Sequence, residues 1–277
     1  MRRTRIVATI GPASCDEESL RTMFKAGLDV ARLNYSHGDD EWRAEVTERI
    51  RRIANENGIV LVYPQGSLLP GGATHWNAAP TTGPTPSFVN KSNTDDIGFF
   101  NSMLEEINQN NILDLNRVYA IGYSNGGMFS HFLACNTDNV FAAIGDVAGT
   151  MLLDTYNSCN PSSPTPFLKI HGTSDAVVAY NGFDPQGFKS VDEVVDFWKL
   201  NNNSNDSFIF NSMVSTSWAN YMGPVDFEKH TYESDINGPS IVHYKMLRGR
   251  HWWDYSLDND LKTSSLLWEF FSKHSRE

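Results

Sequence analysis

The sequence has few cysteines, no long apolar run and no excess of positive charge, and each absence removes a class of function. Cys15, Cys135 and Cys159 are too few for a disulfide scaffold, and no C-x-x-C spacing joins them. They are expected to be plain thiols, with Cys135 and Cys159 pairing across a loop only in an oxidising compartment. No H-E-x-x-H word occurs either, so no structural metal is expected. No apolar run reaches the ~20 residues that a membrane-spanning helix needs. The basic residues 1–5 precede an apolar run of residues 6–10 that is too short for a signal-peptide core, so the chain as written is expected in the cytoplasm. A formal net charge of −11 argues against nucleic acid or an anionic membrane as partner.

What is present centres on residues 117–134. Residues 117–121 are apolar and β-prone, like a buried strand of a parallel sheet, and residues 128–134 are helix-forming with no proline. Between them stands Gly122-Tyr123-Ser124-Asn125-Gly126, a G-x-S-x-G pattern. A strand that turns sharply into a helix strains its apex residue and projects that side chain out of the sheet. The flanking glycines are expected where a Cβ would strike the neighbouring strand or helix. Ser124 would then sit at a helix N-terminus, where free N–H groups stabilise developing negative charge.

The 277 residues suffice for a substantial core, and their composition changes near residue 55. Arginine is dense before that point and asparagine after it, and all the net negative charge lies after it. Two parts with different histories are expected, residues 1–55 and 56–277, in one folded unit. The first reads β-α-β-α: a strand at 5–10, a helix from about 17 to 26, a strand at 30–34 and a helix from about Asp39 or Asp40 to 55. The second reads as strands at 59–63, 117–121, 141–147, 166–171 and 241–247. Helices at about 97–109, 191–200 and 260–273 alternate with them. Residues 64–94 form a long loop whose aromatics suit a substrate-side lid, and residues 208–239 read as short strands and loops. Strands alternating with helices make this an α/β protein with a mainly parallel sheet covered on both faces.

A serine hydroxyl needs a base to take its proton, and the base needs a carboxylate to hold its tautomer. Asp175 and His251 each lie just beyond a strand, at the edge where open parallel sheets place their sites. The order Ser124, Asp175, His251 is that of α/β-hydrolases. His171 competes as base but lies within a strand word, and Asp146 and Asp154 compete as acids. The aromatics Trp76, Trp218, Trp252 and Trp253 suit an aryl or sugar-linked ester.

Two resemblances extend this reading. Arg3-Thr-Arg-Ile-Val-Ala-Thr-Ile-Gly-Pro-Ala-Ser14 and Ala26-Gly-Leu-Asp-Val-Ala-Arg-Leu-Asn-Tyr-Ser-His-Gly38 closely resemble the N-terminal segment of pyruvate kinase. In that family, residues matching Arg32, Asn34, Ser36 and His37 contact phosphate or potassium. The remainder lacks the catalytic lysine motif and the carboxylates for the divalent metal, so kinase activity is not expected.

From about residue 55 onward the chain resembles esterases related to polyhydroxybutyrate depolymerases and feruloyl esterases. The words that carry this are Asn116-Arg-Val-Tyr-Ala-Ile-Gly-Tyr-Ser-Asn-Gly-Gly-Met128, Ile170-His-Gly-Thr-Ser-Asp175 and Gly249-Arg-His-Trp252. That resemblance implies an α/β-hydrolase fold, a triad of Ser124, Asp175 and His251, hydrolysis of aryl, sugar-linked or hydroxyalkanoate esters, and no cofactor. Arg250 and Trp253 depart from the family pattern, and relatives are usually secreted. The kinase-like segment stands where relatives carry a His-Gly oxyanion loop. Asn125 is expected to supply one oxyanion donor and the segment's own Gly38 and Asp39 the other. The charge of Asp39 and Asp40 there would make a slow esterase, and the alternative is an impaired chimeric scaffold or binding protein.

Overall fold

The structure, a computed structural model, describes residues 6–10, 16, 17, 21, 28–33, 41, 44–46, 48, 49, 52, 60, 62–80, 90–110, 113–183, 187–213, 226–234, 238–253, 255–257 and 261–276. The chain divides into two compact units, Met1–Pro64 with Asp254–Lys273, and Gln65–Trp253 with His274–Glu277.

In the first unit, β1 (Ile6–Ile10) and β2 (Leu28–Leu33) pair in parallel, with Val7 opposite Val30 and Ile10 opposite Leu33. Glu17, Arg21, Glu41, Ala44, Glu45, Val46, Glu48, Arg49 and Arg52 are helical, which preserves the expected β-α-β-α order. The closing helix Thr263–Phe271 packs against β1 and β2 and buries Leu266, Leu267, Trp268, Phe270 and Phe271. The composition had placed this helix with the second part. Of the strand expected at 59–63, the described residues Val60, Val62 and Tyr63 lie outside any strand, and Val60 and Val62 are 40% and 39% exposed. An apolar, β-branched run makes a strand only where a neighbour completes its ladder.

The second unit is built on a six-stranded sheet in the order β5-β6-β7-β10-β9-β8. Its parallel part is β5 (Tyr119–Tyr123), β6 (Ala143–Val147), β7 (Phe167–Gly172) and β10 (Gly238–Met246). Every residue of β6 and β7 is buried, so both faces of the sheet centre are covered and the sequence there is apolar apart from Asp146, Lys169 and His171. Two antiparallel strands extend it, β9 (Phe227–Ser234) and β8 (Ser204–Met213). Residues 208–239 therefore carry parts of long strands rather than short ones. Most of β9 is only half-buried, so its polar residues conceal the ladder that its backbone completes.

Helices flank this sheet. In α1 (Asp96–Asn110), Phe100 is buried, and the Asp95 carboxylate caps the helix start by accepting from the Gly98 N–H at 2.8 Å. The turn after β5 opens α2 (Asn125–Asn136), and α3 (Leu153–Ser158) is a short helix after β6. In α4 (Val191–Asn201), Ser190 and Glu193 form a capping box, and Val191, Val194, Val195 and Trp198 are buried.

The expected long loop after residue 64 is partly ordered by a small hairpin, β3 (Ser67–Leu68) with β4 (Thr74–His75). Buried Asn77 then gathers the loop. Its amide donates to the Ser92 and Thr94 carbonyls, and its N–H donates to Asp96 at 2.8 Å. Residues 81–89, which include Phe88, and Trp218 lie outside the described residues.

The cysteines overturn one expectation. Cys135 and Cys159 are joined as a disulfide between the end of α2 and the end of α3, with Cα atoms 4.9 Å apart. The pair is the one the sequence allowed for an oxidising compartment, and tertiary packing brings its two helix ends together. Closing a loop of 24 residues is worth roughly 3 kcal/mol on the chain-entropy account. Reduction, or Cys159→Ser, is expected to lower the urea-unfolding free energy by about that amount. A midpoint unchanged by reductant would show that the cross-link contributes nothing.

Candidate active site

Ser124 stands between β5 and α2 with φ 54° and ψ −119°, a conformation that L side chains rarely adopt. Two ties hold it there: its N–H donates to the Val147 carbonyl at 2.9 Å, and its carbonyl accepts from the Met128 N–H at 3.1 Å. The tightness of the turn explains its glycines, though not as expected. A Cβ on Gly122 would lie 1.8 Å from the Gly126 backbone, so only glycine fits. A Cβ on Gly126 would meet nothing within 4 Å. The second close approach is at Gly127, outside the pattern, where a Cβ would lie 2.1 Å from the Asp146 carboxylate.

Asp146 lies beneath this turn rather than beside Ser124. Its Oδ2 accepts from Lys169 Nζ at 2.6 Å and faces His131 Nε2 at 3.0 Å, while its Oδ1 accepts from the Gly149 N–H at 2.7 Å. His131 Nδ1 in turn accepts from the Trp198 indole at 3.0 Å. Asp146, Lys169 and His131 are all fully buried. Burial works to raise the Asp146 pKa, but the charge of Lys169 and the hydrogen bond from His131 outweigh it and hold the carboxyl below its usual range. The cluster ties α2, β6, β7 and α4 together under the serine. Asp154 is exposed on α3.

Asp175 and His251 come from the loops after β7 and β10, which are laced together. A Cβ on Gly172 would lie 2.2 Å from the Gly249 carbonyl oxygen, so the two loops meet backbone to backbone. The Ser174 N–H donates to the Gly249 carbonyl at 2.8 Å, and the Arg248 N–H donates to Thr173 Oγ1 at 2.8 Å. His251 Nδ1 lies 2.7 Å from Asp175 Oδ2, and His251 Nε2 lies 2.9 Å from Ser124 Oγ. An ionised carboxylate only accepts, so the imidazole proton sits on Nδ1 and leaves the Nε2 lone pair facing the serine hydroxyl. Burial works to raise the Asp175 pKa; donors on His171, His251 and the Val178 N–H overcome it and hold the carboxyl below its usual range.

The other expected site residues are placed as follows. Asn125 opens α2, and its side chain clamps the Trp76 backbone: Oδ1 accepts from the Trp76 N–H at 2.8 Å and Nδ2 donates to the Trp76 carbonyl at 3.0 Å. Trp76 is half-buried, its ring stacked on Phe129 at 4.6 Å and 4°. Trp252 is half-buried, whereas Trp253 is buried edge-on against Tyr123 and packs rather than lining an open surface. Gly38 and Asp39 lie outside the described residues, as do Arg32's side chain, Asn34, Ser36, His37 and Asp40. Among the described residues, no group of three or more His, Cys, Asp or Glu is placed to hold a metal ion. No helix of the described residues is long and apolar enough to cross a membrane.

Residues 1–64 match the family described as Pyruvate kinase, barrel domain. Within this stretch the chain is 47% identical over 60 residues to "Pyruvate kinase isozyme A, chloroplastic" from Ricinus communis, covering 22% of this chain and 10% of that protein. The family match reaches past the composition change at residue 55 and takes in the strand expected at 59–63. Elsewhere the chain is 30% identical over 133 residues to "Feruloyl esterase B" from Piromyces equi, covering 47% of this chain and 23% of that protein. The chain therefore spans a tenth of that pyruvate kinase's length and about a quarter of that feruloyl esterase's. Among solved structures, "Acetyl xylan esterase from Aspergillus awamori" superposes with a TM-score of 0.52 at 13% identity, covering 98% of this chain and 89% of that one. The chain has an α/β-hydrolase fold, and it joins a pyruvate-kinase-like segment to an esterase-like remainder.

Sequence reasoning missed two supports of the site. Tyr123 donates its hydroxyl to the His251 carbonyl at 3.2 Å and packs its ring 5.0 Å from the imidazole. The x of G-x-S gave no signal for this, because the partner lies 128 residues away. The Asp146, Lys169 and His131 cluster was equally hidden. Its only sequence trace is a charged residue inside each of two apolar strand words.

Burial of histidine has a consequence for stability. The pKa values of His131, His171 and His243 are all lowered, in each case chiefly by burial, so the folded protein holds these rings neutral. The unfolded chain protonates them near pH 6.5. Below that pH the unfolded state binds more protons, so stability present above ~6.5 is lost as pH falls. The expected slope is up to about 1.4 kcal/mol per pH unit for each ring. Urea unfolding between pH 7.5 and 5.5 measures it, and a flat profile would mean these rings are not held neutral.

Proposed function

We propose that the protein is a serine carboxylic-ester hydrolase that works through an acyl-enzyme on Ser124. The observation that carries this reading is the continuous contact from Ser124 Oγ to His251 Nε2 and from His251 Nδ1 to Asp175 Oδ2, at 2.9 and 2.7 Å. His251 takes the hydroxyl proton as Oγ attacks the ester carbonyl, and Asp175 stabilises the imidazolium that forms. His251 then gives the proton to the departing alcohol. Water, deprotonated by the same imidazole, cleaves the acyl-enzyme and restores Ser124. The Asn125 N–H at the start of α2 supplies one donor to the oxyanion. Ser124 keeps its strained conformation because the Val147 and Met128 ties fix it, which places the nucleophile before substrate arrives.

The relatives' names support esters as the substrate class, since one is a feruloyl esterase. Aryl and sugar-linked small-molecule esters are the substrates we assign. The test is hydrolysis of p-nitrophenyl acetate by the full chain. Turnover well above that of a parallel Ser124→Ala preparation supports the reading, and equal rates contradict it.

A further inference from the structure

The mechanism leaves His171 without a task, although it touches the acid. The ring is fully buried at 0% exposure, four residues before Asp175 in the chain. Its Nε2 lies 2.8 Å from the Val178 carbonyl and 3.4 Å from Asp175 Oδ2. Both partners only accept, so Nε2 must carry the proton, and Nδ1 is left buried without a hydrogen-bond partner among the described residues. An orphaned ring nitrogen is a cost that a phenyl ring in the same space would avoid.

The Asp175 carboxylate explains the choice. Oδ1 accepts from the Val177 and Val178 N–H groups, each at 2.8 Å, and Oδ2 faces His251 on one side and His171 on the other. We propose that His171 is a positioning residue for the acid of the triad: its Nε2–H bonds the Val178 carbonyl at 2.8 Å, holding the loop whose Val178 N–H donates to Asp175 Oδ1, and its edge 3.4 Å from Oδ2 fixes the carboxylate's orientation toward His251. The proposal rests on the hydrolase reading above. Lys169 and Asp146 on the adjoining strand positions, His243 and Lys245 on β10, and the Tyr180 ring also face His171. Burial and the neighbouring Lys169 keep the ring neutral, so it donates from Nε2 and does not compete as the base.

The test is a double-mutant cycle with p-nitrophenyl acetate. His171→Leu is expected to lower kcat roughly 10- to 100-fold, the scale of a misplacement of about 1 Å, and to leave KM nearly unchanged. In an Asp175→Ala background the same substitution should change kcat by less than about threefold, because its effect passes through the carboxylate. His171→Gln, which keeps an N–H donor within reach, should restore most of kcat. A loss that persists undiminished in the Asp175→Ala background overturns the proposal, as does full kcat in the folded leucine variant. Should His171→Leu lose the cooperative urea transition, ¹⁵N NMR of wild type against His251→Ala decides. The His171 Nε2–H resonance should move when the other partner of Asp175 Oδ2 is removed, and a resonance unmoved by that substitution overturns the proposal. Ser124→Ala run alongside separates the two levels: full activity there removes the hydrolase reading whatever His171 does.

Discussion

Replacing Ser124 by alanine is expected to lower kcat by roughly 10⁶-fold with little change in stability. Ser124 Oγ contacts His251 and supports no part of the core, so its removal opens no cavity. Alanine at φ 54° is as strained as serine, so the alanine variant should melt within a few degrees of wild type. Glycine gives the complementary result. Ser124→Gly relieves the left-handed strain and should unfold at higher urea, by about 1 kcal/mol, while remaining as inactive as the alanine variant. A glycine variant no more stable than the alanine variant would mean that the turn stores no strain.

The second large effect concerns the relay. His251→Ala is expected to cost about as much as losing the serine, roughly 10⁶-fold in kcat, and Asp175→Ala roughly 10⁴-fold. The double variant should be no slower than His251→Ala alone, because the three groups act as a unit. Their stability consequences differ. His251 bridges two side chains at the half-exposed edge, whereas Asp175 is the acceptor for the Val177 and Val178 N–H groups as well. Removing it strands the buried Val178 N–H, at about 1–3 kcal/mol, whereas Val177 is exposed enough for water to take its N–H. Rates for Asp175→Ala must therefore be normalised to folded protein by urea unfolding. Losses that multiply in the double variant would show that the residues act independently.

How much of this was legible depended on how local each feature is. The Ser124 turn could be read because strand, glycine, serine and helix follow one another within residues 117–134. The loops of Asp175 and His251 could be placed because parallel strands end there, and the structure brings both side chains into hydrogen-bond contact. Features that depend on distant partners could not be read. The β9–β8 extension is half-buried and polar, so periodicity carried no trace of it. Val60 and Val62 had the residues of a strand but no neighbour among the described residues to complete one. Gly126 lay within the pattern without steric need, while Gly127 met an Asp146 carboxylate that only the packing of α2 on β6 brings close. The Cys135–Cys159 disulfide likewise follows from where two helices end.

The central claim is that His251, oriented by Asp175, makes Ser124 nucleophilic. Labelling by an organophosphonate ester followed by peptide mass spectrometry tests it most directly, because phosphonylation uses the same attack and traps its product. The account predicts one phosphonate per chain, attached to Ser124, and labelling slowed by at least about 10³-fold in His251→Ala. A phosphonate on any other residue, or undiminished labelling of Ser124 without His251, would contradict it.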